Sequence, residues 1–81
     1  MILLYPVSTE KAIKIMEFEN KMTFVVDKRA SKEAILNAFA EEFKIKPVSV
    51  NTQIRNNKKI AVIKIGPENQ ASDIASKLGM M

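Results

Sequence analysis

The eighteen residues VSVNTQIRNNKKIAVIKI, Val48 to Ile65, constrain this chain more than any other stretch. Val48, Val50, Thr52 and Ile54 alternate with Ser49, Asn51, Gln53 and Arg55, the period-two pattern of a strand with two unlike faces. Asn56 and Asn57 tolerate the left-handed backbone that a two-residue hairpin turn demands. The return run, KKIAVIKI, is apolar on both of its faces, as an inner strand covered at least partly on each side requires. A hairpin of this kind needs another strand beyond it and helices above it.

The rest of the chain supplies both. Ile2 to Leu4 reads as a short strand that Pro6 ends, since proline cannot donate to a ladder. Ser8 or Thr9 can cap a helix running to about Glu17, with Ala12, Ile13 and Met16 at helical spacing. Glu10 suits the positive end of that helix, whereas Lys11 in the first turn does not, so something outside the helix should want it. EFENK, residues 17 to 21, reads as a turn. In MTFVVDK, Met22, Phe24 and Val26 point one way and Thr23, Val25 and Asp27 the other.

Ser31 caps the next helix, with Glu33 in its first turn and Ile35, Ala38, Phe39 and Phe43 as its buried stripe. Pro47 forbids continuation and pushes Lys46 towards extended geometry. Gly66 and Pro67 break the hairpin's second strand. Ala71, Ile74, Ala75 and Leu78 then mark a last helix, which Gly79 closes. The order β-α-β-α-β-β-α predicts a single domain over residues 1–81, an α+β sandwich on an antiparallel sheet.

Composition removes most catalytic chemistry. The 81 residues include no histidine and no cysteine, so the commonest general base, thiolate nucleophiles and soft metal ligands are missing. Two glycines cannot form a phosphate-cradling loop. Glu17 with Glu19, and Glu41 with Glu42, lie in polar stretches beside lysines and read as solvated surface. No enzyme activity, cofactor or metal is expected. No apolar run approaches the ~20 residues of a membrane helix, and the start MILLYPVSTEK lacks a basic leader. A soluble intracellular protein without membrane insertion is the expectation.

The net charge of +4 is concentrated in one segment. Between Phe43 and Pro67 stand six cations (Lys44, Lys46, Arg55, Lys58, Lys59 and Lys64) and no acid; the remainder holds seven basic residues against nine acidic ones. A one-signed block attracts polyanions. The hairpin becomes a basic tongue on which Arg55, Lys58, Lys59 and Lys64 reach phosphates and Asn56 and Asn57 offer donors and acceptors. Lys14, Lys28 and Arg29 are further cationic candidates. The bland alternative is a tip whose lysines only prevent edge-to-edge aggregation. Phe24, Phe39 and Phe43 fit the core, leaving Tyr5 and Phe18 as weak stacking candidates. Folded RNA read by shape and backbone therefore fits better than a single strand. A small general nucleic-acid-binding protein and a protein–protein adaptor are the alternatives.

With YPVSTEKA, ENKMTFVVDKRASK and VNT in hand, the chain resembles the ribosomal protein L23 family of the large subunit, in its short archaeal form. The likeness runs from about Leu4 to Leu78. It implies a three-layer α/β/α sandwich on a four-stranded antiparallel sheet. It also implies binding of large-subunit ribosomal RNA beside the exit tunnel for nascent chains. Implied neighbours are ribosomal protein L29 and factors that meet emerging chains, such as the signal recognition particle or, in bacteria, trigger factor. Carried over residue by residue, Thr9, Lys11, Lys21, Asn51 and Thr52 would contact RNA, and Glu10 would serve factor docking. RNNKKIAVIKI departs from the family pattern, lacking the proline and glycine of the turn and the tyrosine of the returning strand. The long bacterial hairpin and the basic eukaryotic amino-terminal extension are also missing.

Overall fold

The computed structural model describes residues 2–78. Along the chain run β1 (Leu3–Pro6), α1 (Glu10–Glu19), β2 (Lys21–Val26), α2 (Lys32–Phe43), β3 (Pro47–Arg55), β4 (Lys58–Ile65) and α3 (Ala71–Lys77). The strands form one antiparallel sheet in the order β1-β2-β4-β3. This is the mixed α+β, four-stranded architecture expected from the sequence. Both β2 and β4 are inner strands, which accounts for their apolar residues on either face.

Register fixes which residues share a face. Met22 lies opposite Ile63 and Phe24 opposite Ala61 on the inner face, while Thr23 lies opposite Val62 and Val25 opposite Ile60 on the outer face. On the inner face α2 seats its stripe: the Phe24 ring centroid is 6.2 Å from that of Phe39 and 6.0 Å from that of Phe43. Phe39, Ile35, Met22 and Ile63 are fully buried there. Over the outer face lies α1, whose Ala12 and Ile15 line a cavity together with Thr23, Ile60 and Val62. The layers are thus α1, sheet and α2, with α3 touching α1 and adding Ala71, Ile74 and Ala75 to the core.

The expected caps form. Thr9 Oγ1 accepts a hydrogen bond from the Ala12 N–H at 3.2 Å, and Ser31 Oγ accepts from the Ala34 N–H at 3.1 Å. Asn56 and Asn57 have φ of 52° and 63°, the left-handed pair of a tight hairpin turn.

Several boundaries differ from expectation. Pro6 belongs to β1 and pairs with Phe24, which an edge strand permits. Glu17 to Glu19 are helical, so the turn shrinks to Asn20 alone, at φ 55°. The side chain of Asn20 explains why. Its Nδ2 donates to the carbonyls of Ile65 (3.1 Å) and Asn69 (2.9 Å), and its Oδ1 accepts from the Ala71 N–H at 2.7 Å. One residue thereby ends α1, holds the end of β4 and takes over the capping of α3, whose N-cap Gln70 makes no side-chain cap bond. Helix α2 stops at Lys44, in left-handed geometry at φ 58°, before Pro47 is reached. Ile54, on the apolar side of β3, is 64% exposed, beyond the buried Val50. Val48, 59% exposed, is the extra residue of a register shift, since Pro47 lies opposite Ile65 and Ser49 opposite Lys64, so it leaves the expected alternation. Gly79 lies outside the described residues.

Candidate nucleic-acid interface

On the outer face, β3 extends past the edge of α1. Ser49, Asn51, Gln53 and Arg55 form an exposed row there, opposite Lys64, Val62, Ile60 and Lys58 of β4. The row is polar because every second residue of the strand points out, and open because no helix lies over it. Cations stand at both ends: Arg55 and Lys58 at the tip, Lys64 at the base, where Lys21 of β2 is its cross-strand neighbour.

The start of α1 borders the same row. Thr9, Lys11, Gln53 and Arg55 share the lining of a cavity of about 200 Å³ whose remaining walls are largely aliphatic. Lys11, unfavourable for its own helix, thus stands with Arg55 over the open sheet. Among the described residues the ion pairs are Lys14 with Glu10 at 3.5 Å and Lys21 with Glu19 at 3.2 Å. Lys11, Arg55, Lys58 and Lys64 are therefore free of acids, and exposed. Beneath them the Thr23 hydroxyl is buried with no hydrogen-bond partner.

At the tip, Tyr5, Lys28, Arg29, Asn57, Lys58 and Lys59 line a second, shallower groove of about 470 Å³. The Asp27 carboxylate accepts from the Arg29 backbone N–H at 2.9 Å, fixing the turn that presents both cations. Lys58 Nζ donates to the Tyr5 hydroxyl at 3.0 Å, and this bond raises the Lys58 pKa above the usual lysine value. Lys58 is therefore held as a cation.

Lys58 and Lys59 do not act as a pair. Alternation turns Lys59 to the inner side, where it is half-buried and its ammonium donates to the Ala30 carbonyl at 2.6 Å. That bond ties the hairpin to the β2–α2 turn. Asn51 and Thr52 likewise separate: Asn51 is exposed on the outer face, and Thr52 is half-buried on the inner one. Lys14 and Glu10 occupy each other on the solvent side of α1, at 67% and 87% exposure. Asn56 is exposed at the turn. Tyr5 and Phe18 are 46% and 82% exposed; Tyr5 joins the tip groove, while Phe18 stands apart from both cavities.

Sequence reasoning missed Gln53, which sits between Asn51 and Arg55 and lines the cavity beside Lys11. Resemblance selects Asn51 and charge selects Arg55; the alternation that puts Gln53 on their face was signal enough to include it. Among the described residues no group of three or more potential metal ligands comes together, and no helix is long and apolar enough to cross a membrane.

The profile of the family described as ribosomal protein L23 matches residues 1–74. A large ribosomal subunit protein uL23 of Halobacterium salinarum is 42% identical over 77 residues, covering 94% of this chain and 92% of the relative. A protein of the same name from Trypanosoma brucei brucei is 41% identical over 81 residues, covering 99% of this chain. The chain spans about half, 49%, of that trypanosome protein.

Proposed function

The chain belongs to the ribosomal protein L23 family of the large ribosomal subunit, and we propose that it binds large-subunit ribosomal RNA through the outer face of its hairpin and the start of α1. The family consists of structural ribosomal proteins, not enzymes, and its working location is the ribosome, in the cytoplasm. The observation that carries the RNA reading is the acid-free row itself. Lys11, Gln53, Arg55, Lys58 and Asn51 share one exposed side of a stiff sheet, with their charges unspent on ion pairs. Cations on such a surface neutralise phosphates and release counterions, while fixed amide groups select one arrangement of the backbone. Thr9, Lys21, Lys28, Arg29 and Lys64 extend the footprint around that row, and Thr52, on the inner face, lies outside it.

The bound region is the rim of the nascent-chain exit tunnel, next to ribosomal protein L29. The surface turned away from RNA receives factors such as the signal recognition particle, with Glu10 as a contact on the exposed side of α1. Chemical footprinting of large-subunit RNA with and without the protein tests this reading. Protection confined to one region supports it. Equal affinity for duplex DNA would make the protein a general nucleic-acid binder, and binding without salt dependence would make it a protein adaptor. Glu10→Ala should leave the footprint intact while reducing factor recruitment to ribosomes.

A further inference from the structure

We infer that the cavity between the start of α1 and the hairpin's outer face receives one unstacked base of the bound RNA. This rests on the RNA reading above and goes further, assigning a single nucleotide to a single cavity. A space of about 200 Å³ admits a flat ring rather than a length of strand. Ile60 and Val62 of the sheet and Ile15 of α1 line it, aliphatic groups against which a heteroaromatic ring sheds water. RNA recognition relies on bases splayed from their stack in this way, with their edges open to hydrogen bonding.

The rim is suited to the rest of the nucleotide. The Gln53 amide offers a donor and an acceptor, the combination a base edge requires. Lys11 and Arg55 flank it as cations for the adjoining phosphates, and the whole lining contains no carboxylate. This charge selects a polyanion over an apolar side chain from another protein. Thr23 lines the same cavity at 9% exposure, and its hydroxyl finds no partner within the protein. That hydroxyl has almost no accessible surface, so it lies behind the wall and offers an entering base no hydrogen bond; the polar recognition falls to the rim.

The test uses methyl-labelled protein and a transcript of the footprinted large-subunit RNA region. On binding, the Ile15, Ile60 and Val62 methyl signals should move upfield by ring currents and show cross-peaks to base protons. Single abasic replacements across the transcript should reveal one position where losing the base weakens binding roughly tenfold, the scale of one base contact. The salt slope should not change, because the phosphate remains. Val62→Phe fills the cavity, and with it the abasic and intact transcripts should bind alike; should that variant misfold, the methyl shifts and Gln53→Ala, on an exposed position, decide the matter. Normal salt-dependent binding with unmoved methyls, or with no sensitive position, overturns the base-insertion proposal while leaving the RNA-binding face standing. Methyl shifts that require an added protein instead of RNA assign the cavity to a protein side chain and overturn it too. Failure to bind the RNA at all overturns both readings.

Discussion

The two faces of the β3–β4 hairpin are drawn from alternate residues of the same strands, yet they meet opposite surroundings. On the inner face Val50, Ala61 and Ile63 are buried in the core beneath α2. On the outer face Asn51, Gln53, Arg55 and Lys64 remain in water, because α1 covers β2 and half-buries Ile60 and Val62 without reaching β3. Alternation decides which face a residue joins; helix placement decides whether that face becomes core or stays open to water. Lys58 and Lys59 make the difference concrete. One is held at the rim by a tyrosine hydroxyl, and its neighbour ties the hairpin to a backbone carbonyl on the other side.

If the inner face carries the stability, Phe39→Ala should give the largest effect. Phe39 is fully buried against Phe24 and Phe43, and its truncation should cost about 3–5 kcal/mol in urea unfolding. A cost below about 1 kcal/mol would break the contrast between the faces. Asn20→Ala should come next, at roughly 1–3 kcal/mol, because it strands the Ala71 N–H and removes the donor that holds β4 to α1. Arg55→Ala, on the outer face, should change stability by less than about 0.5 kcal/mol in the same assay. A larger loss would make that face structural after all.

The smallest effect sharpens the picture at the tip. Tyr5→Phe removes the acceptor that raises the Lys58 pKa, so that pKa should fall back towards the usual lysine value in an NMR titration of the ammonium. The sign follows from the direction of the shift. With a folded-state pKa above the unfolded one, the bond's contribution is complete below the ordinary lysine pKa and disappears as pH rises through the raised one. An unchanged Lys58 titration would contradict the bond.

Much of this was legible in the sequence, for identifiable reasons. Local chemistry indicated the Ser31 cap, the Asn56–Asn57 turn and the alternation of β3 from Ser49 onward, and it narrowed the first cap to Ser8 or Thr9, of which Thr9 serves. Asn20 was hidden because its partners, Ile65, Asn69 and Ala71, lie some 45 to 51 positions away. The same distance effect concealed the use of Lys59, whose acceptor Ala30 belongs to another loop. Charge counting treated the hairpin's cations as one set, although a strand necessarily sends neighbours to opposite faces. The exposure of Val48 goes with the register shift between Pro47 and Ser49, which the period-two pattern of β3 did not announce.

The central claim is that the outer face, and not the basic character of the chain as a whole, holds RNA. It is tested most directly by measuring affinity for large-subunit RNA against salt concentration for three proteins: wild type, Lys11→Ala with Arg55→Ala, and Lys59→Ala. Two lost phosphate contacts should flatten the slope of log affinity against log salt by about 1.4–1.8 in the double variant. Lys59→Ala, whose ammonium is turned inward, should leave the slope close to wild type. An unchanged slope in the double variant, or a larger drop for Lys59→Ala, would contradict the account.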